Sequence, residues 1–186
     1  MIVVLEKRSD FNGLIRYCAR PKLGDINNPE KSIFLDTNLG ARRTEKELIA
    51  QFNKLRKERP DRERVVYHNI LNPAIRDEIG RDKWSSILEF YFEQMDIDTR
   101  LYPFVSYLHK NIKRPHLHVI VSRVGVDGST LITTDNFRKS IIASARIERK
   151  FELMPACTKY LEKLVRRDNK WAELELSRLH EFGKVG

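Results

Sequence analysis

Apolar and polar positions alternate along Pro115-His116-Leu117-His118-Val119-Ile120-Val121. Side chains of an extended strand alternate faces with a period of two. Leu117, Val119 and Val121 therefore point to one side, and His116 and His118 to the other. The apolar run Phe104-Val105-Ser106-Tyr107-Leu108, ending at His109, predicts a second strand, joined to the first by a polar turn containing Pro115. Three further strands are predicted at Ile2 to Leu5, Ser32 to Asp36 and Arg64 to Leu71. Helical spacing of Phe11, Leu14, Ile15 and Cys18 predicts a helix capped by Ser9 or Asp10 and stopped by Pro21. Thr44 and Glu47 form a capping box that opens a charged helix reaching Glu58. A long helix is predicted from Gly80 or Asp82 to Met95, another from Thr134 to Phe151, and one or two more between Pro155 and Phe182. Lys22 to Lys31 reads as a loop, and Gly125 to Gly128 as a turn.

This mixed order predicts an α+β fold with a mainly antiparallel central sheet, hairpin-connected neighbours and helices packed on it. The 186 residues suit one domain with a sizeable core. Residues 1–155 read as the main domain. Residues 156–186 read as a helical extension of it, cut from a longer protein. The two cysteines, Cys18 and Cys157, form no spaced motif, as expected in a reducing compartment. No apolar run approaches the ~20 residues of a membrane span, and the N-terminus lacks a signal-peptide layout. A cytoplasmic protein with no membrane partner is expected. The formal charge of +9 suits a polyanionic partner, but many basic proteins share it, so charge alone selects none.

The histidines narrow the choice. The chain has five, and three of them, His109, His116 and His118, fall within one strand–turn–strand segment. Neutral imidazole is the commonest protein ligand for a transition metal. Three ligands with open positions left over is the arrangement of a catalytic metal. Such a cation polarises a scissile phosphate and neutralises charge in the transition state. Lys110, Lys113 and Arg114, between the histidines, suit a phosphate backbone nearby. His68 reads as a structural histidine, and His180 has no assigned role.

These residues resemble a family. His109, then Pro115-His116-Leu117-His118-Val119-Ile120-Val121-Ser122-Arg123-Val124 and Asp127-Gly128, are similar to the third motif of plasmid mobilisation relaxases, members of the histidine–hydrophobic–histidine (HUH) endonucleases. Asn136 to Lys139, Glu148 to Leu153 and the strand Val65 to Pro73 add to the likeness, which spans roughly residues 1–155. The resemblance implies a relaxase-like fold with a ferredoxin-like core. It implies site- and strand-specific nicking of single-stranded DNA at a transfer origin, for conjugative mobilisation, through a 5′-phosphotyrosyl intermediate. It also implies Mn²⁺ or Mg²⁺ held by His109, His116 and His118, and accessory mobilisation proteins as further partners. The residue matching the family's nucleophile is Tyr17. A free tyrosine has a pKa near ~10, and the guanidinium groups of Arg16 and Arg20 would favour its phenolate. Arg16, Arg20, Lys22, Arg42, Arg43, Lys113 and Arg114 are the candidate DNA contacts.

The chain departs from the family at one place. An acidic residue often follows the first histidine by two or three positions; here Asn111 and Ile112 stand there. Asn111 can accept a hydrogen bond but carries no charge, and Glu6 or Asp36 could substitute. Three other readings compete. A rolling-circle replication initiator would use a downstream tyrosine, Tyr160, with Lys163 one turn on. A histidine-triad nucleotide hydrolase would need a third alternating histidine, where this chain has Ile120. A non-catalytic basic DNA-binding module would bind DNA without cutting it. No glycine–lysine phosphate-binding loop is present, so no helicase activity is expected.

Overall fold

The computed structural model describes residues 1–20, 31–40, 44–110, 115–167 and 169–182. The elements run β1 (Ile2–Arg8), α1 (Phe11–Ala19), β2 (Lys31–Thr37), α2 (Glu45–Glu58), β3 (Val66–Asn72), α3 (Arg81–Gln94), β4 (Phe104–Lys110), β5 (His116–Ser122), α4 (Asn136–Lys150), α5 (Ala156–Val165) and α6 (Lys170–Phe182). The five strands form one sheet in the order β1-β3-β5-β4-β2. The pairs β3–β5, β5–β4 and β4–β2 are antiparallel, and the fold is α+β as expected. Only β4 and β5 are hairpin neighbours. The other pairings join strands separated by helices, because a helix between two strands carries the chain to a distant position in the sheet.

The chain divides into two compact units. The sheet unit comprises Val4–Asn72 and Ile97–Thr134. Its core is Phe11, Leu14, Ile15 and Cys18 of α1, Leu48 and Phe52 of α2, and Val66, Val105, Tyr107 and Ile120 of the sheet. Spacing along α1 puts its four apolar residues on one stripe. Asp10 caps that helix, accepting hydrogen bonds from the backbone N–H groups of Asn12 and Gly13 at 3.0 and 2.8 Å. Gly13 lets the cap approach closely, since a Cβ there would meet Asp10 Oδ2 at 2.9 Å. The Thr44–Glu47 capping box on α2 is fully formed. Phe11 and Phe52 bring their rings to 4.8 Å, and Asn53 donates to Asn12 at 2.8 Å. Together these contacts fix α1 against α2.

The helical unit comprises Met1–Val3, Pro73–Asp96 and Asp135–Gly186. Ile141, Ala145, Cys157, Leu161, Ala172 and Leu179 form its buried cluster. Glu148 organises the polar part. Its carboxylate pairs with the Met1 ammonium and accepts from Cys157 N at 2.7 Å and from Thr158 N and Oγ1, each at 3.0 Å. A buried carboxylate is tolerated only when so satisfied.

Phe52 is fully buried against Phe11 in the core that seats α1. Phe52→Ala is expected to cost about 3–5 kcal/mol of stability, read as a lowered midpoint of urea unfolding followed by circular dichroism.

Candidate active site

Sheet register gathers the histidines. His109 pairs with His116, Tyr107 with His118, and His68 with Ile120. Cross-strand partners share a face, so His68, His109, His116 and His118 all lie on one face of the sheet. The ligand nitrogens of His109, His116 and His118 lie within 4.8 Å of one another. The ring centroids of His109 and His118 are 4.2 Å apart, and those of His116 and His118 are 4.8 Å apart.

Two polar contacts dock the last turn of α1 onto this face. The Cys18 carbonyl accepts from Ser32 Oγ at 2.6 Å and from His109 Nε2 at 2.8 Å. Ser32 and His109 are themselves cross-strand partners of β2 and β4. A carbonyl only accepts, so His109 carries its proton on Nε2 and its lone pair on Nδ1. Tyr17 precedes Cys18, and its ring sits 6.1 Å from His109 and 5.9 Å from His118, centroid to centroid. It is 49 % exposed. It lines an open cleft of about 570 Å³ with Gly13, Arg16, Arg20 and Glu45. Glu45 holds Arg20 at 2.9 Å and Arg16 at 3.9 Å. Such exposed pairs contribute little, so both guanidinium groups can exchange Glu45 for a phosphate at small cost. Tyr107 is on the same sheet face, but it is buried, and desolvation pushes its phenol up to about 12.

His68, read from sequence as a structural histidine, is joined to the site. Its Nε2 lies 2.8 Å from His118 Nδ1, and its Nδ1 lies 3.2 Å from Glu6 Oε2. The two ring planes lie within 9° of each other with centroids 5.1 Å apart, so the imidazoles meet edge to edge in nearly one plane. Its position could have been read from strand parity: His68 falls on the face of Val66 and Ile70, and only the β3–β5 register makes that the histidine face. Of the two proposed acidic substitutes, Glu6 reaches the site only through His68. Asp36 on β2 accepts instead from Thr37 N at 2.8 Å. Neither joins a ligand-forming group among the described residues. Asn111, Lys22, Arg42, Arg43, Lys113 and Arg114 lie outside the described residues.

The electrostatics suit a cation. Burial depresses the imidazole pKa of His68 to about 4 and that of His118 to about 2, with repulsion from neighbouring histidines adding to the latter. Both are therefore neutral at neutral pH. The Arg8 guanidinium bonded to Glu6, followed by His68, holds that carboxyl below its usual range. His118 Nε2 is buried with no hydrogen-bond partner among the described residues. A buried nitrogen left so carries a desolvation penalty unless something binds it. A cation answers that need, so the residues present fit a divalent metal.

The five-stranded α+β sheet thus gathers imidazoles that could hold a metal beneath an exposed tyrosine. The family described as Relaxase: MobA/VirD2-like, nuclease domain matches residues 17–153, and the chain belongs to it. Its general activity is DNA nicking in mobilisation, and relaxases act on single-stranded DNA with a divalent metal. No curated protein and no solved structure matches the chain. No helix among the described residues is long and apolar enough to cross a membrane.

The depressed histidines set a pH dependence. Their unfolded value is 6.5, so below it the unfolded chain takes up protons that the folded chain refuses. In metal-free protein, stability is therefore expected to fall as pH drops from 6.5 towards 4, and His68→Gln should flatten part of that slope. Urea midpoints measured between about pH 7 and about pH 5 check this.

Proposed function

We propose that this chain cuts one strand of single-stranded DNA at a transfer origin, with Tyr17 as nucleophile and His109, His116 and His118 as the holders of a divalent cation. The observation that carries this reading is the seating of Tyr17. Its ring lies about equally far from His109 and His118 at the mouth of a cleft that also holds Arg16 and Arg20. The family match supports it, since the matched residues begin at Tyr17 and end before Tyr160. Tyr160 lies on α5 at the edge of an apolar cavity of about 320 Å³ lined by Ile2, Val3, Phe137, Ile141 and Cys157, a poor place for a phosphodiester.

The chemistry is a transesterification. The Tyr17 phenol loses its proton to the solvent that reaches its exposed side. Its Oη forms a bond to phosphorus as the bond from phosphorus to the 3′ oxygen breaks. The 5′ phosphate stays on the tyrosine, and the 3′ oxygen takes a proton to leave as a hydroxyl. Reversal rejoins the strand. Arg16 and Arg20 stabilise the phenolate and hold the backbone through charge-assisted hydrogen bonds. A cation bound by the three imidazoles supplies Lewis-acid polarisation of the phosphate. An all-imidazole set suits a transition ion over Mg²⁺, which prefers oxygen ligands.

The test is a covalent adduct. With Mn²⁺ and a panel of single-stranded oligonucleotides, the wild type should yield a protein–DNA species that survives denaturing electrophoresis. Tyr17→Phe should abolish it and Tyr160→Phe should leave it. If Tyr160→Phe alone abolishes it, the chain works as a replication initiator. If DNA binds yet no adduct forms with any origin sequence, the non-catalytic module is the right reading. Arg20→Ala should weaken DNA binding and reduce the salt slope by about one ion.

A further inference from the structure

The chain Glu6–His68–His118 is a sequence of hydrogen bonds whose proton positions follow from its two ends. Arg8 donates to Glu6 Oε2 from Nε at 2.8 Å and from Nη2 at 2.6 Å. A carboxylate against a guanidinium only accepts, so the 3.2 Å contact to His68 Nδ1 requires a proton on that nitrogen. A neutral His68 then has its lone pair on Nε2. The 2.8 Å contact to His118 Nδ1 therefore places the proton on His118 Nδ1. What remains on His118 is an unprotonated Nε2, the same nitrogen that is buried without a hydrogen-bond partner among the described residues.

We infer that His68 and Glu6 are positioning residues that commit His118 to its Nδ1–H tautomer and so present Nε2 to the cation. This rests on the reading that His109, His116 and His118 hold that cation. The arrangement is asymmetric. His109 is fixed in the opposite tautomer by a backbone carbonyl, that of Cys18, and offers Nδ1. His118 has a side-chain relay in place of a carbonyl. The relay also fixes ring orientation, because the hydrogen bond holds the two imidazoles nearly coplanar, edge to edge. Without it, the buried His118 could rotate or take the other tautomer, and its Nε2 would then carry a proton where the cation needs a lone pair. Partners that orient a metal-binding histidine in this way typically contribute 10–100-fold in metal affinity.

Three variants separate this from a purely structural role. His68→Leu removes the acceptor. His68→Gln keeps one, its side-chain oxygen. Glu6→Gln, at a partly exposed position, removes the carboxylate that sets the direction of the relay. Mn²⁺ binding is measured by titration calorimetry on folded protein. The tautomer of His118 is read from imidazole ¹⁵N resonances of the metal-free protein. Wild type should show His118 with its proton on Nδ1. His68→Leu should weaken Mn²⁺ binding about 10–100-fold and shift the His118 pattern towards Nε2–H. His68→Gln should recover most of the affinity, and Glu6→Gln should fall between. The inference is overturned if metal-free wild type carries the His118 proton on Nε2, or if His68→Leu binds Mn²⁺ as tightly as wild type. If His68→Leu does not fold, the wild-type spectrum and Glu6→Gln still decide. Wild type that binds no Mn²⁺ overturns the reading of the metal site, while the spectrum separately decides the relay.

Discussion

The carbonyl of Cys18 is the contact on which the geometry of the site depends. It ends the buried stripe of α1, and it is held by one side chain from β2 and one from β4 that face each other across the sheet. This couples two requirements. The helix cannot shift without breaking the hydrogen bond that fixes the tautomer of His109. The strand cannot shift without releasing the residue that follows Tyr17. Tyr17 and His109 are held in register by a single backbone atom. The core of Phe11, Leu14, Ile15 and Phe52 supplies the packing that makes the position rigid.

The composition of the site has a chemical consequence. All three candidate ligands are imidazoles, and the nearby carboxylate, Glu6, stands one residue removed behind His68. A divalent cation held this way keeps its full charge towards a phosphodiester, whereas a carboxylate ligand would cancel part of it. Affinity must then come from ring orientation and from burial of neutral nitrogens. That is where the structure invests its polar contacts: a carbonyl on His109 and a nearly coplanar, hydrogen-bonded neighbour on His118.

Much of this is legible in the amino-acid sequence. Alternation in β5 separated Leu117, Val119 and Val121 from His116 and His118, because a strand has a fixed period of two. The capping box of α2 and the apolar stripe of α1 were equally plain, being local and set by side chains within one or two turns. The resemblance to relaxases placed Tyr17 in the site, which spacing alone could not. The contact of His68 with His118 was not legible in the sequence. His68 lies 50 residues from His118, and its strand could have offered either face to the histidines.

The sequence by itself determined the elements, the two-faced character of the central strand and the donor chemistry of the site. Those follow from short-range periodicity and from what an imidazole, a phenol or a guanidinium can do. Only the tertiary structure decided the sheet order, and with it which remote residues touch. A shift of one residue in the β3–β5 register would turn His68 to the opposite face and leave His118 without its acceptor. Tautomers, too, are set by remote partners: the proton on His109 goes to the Cys18 carbonyl of α1, and that on His118 to His68 of β3.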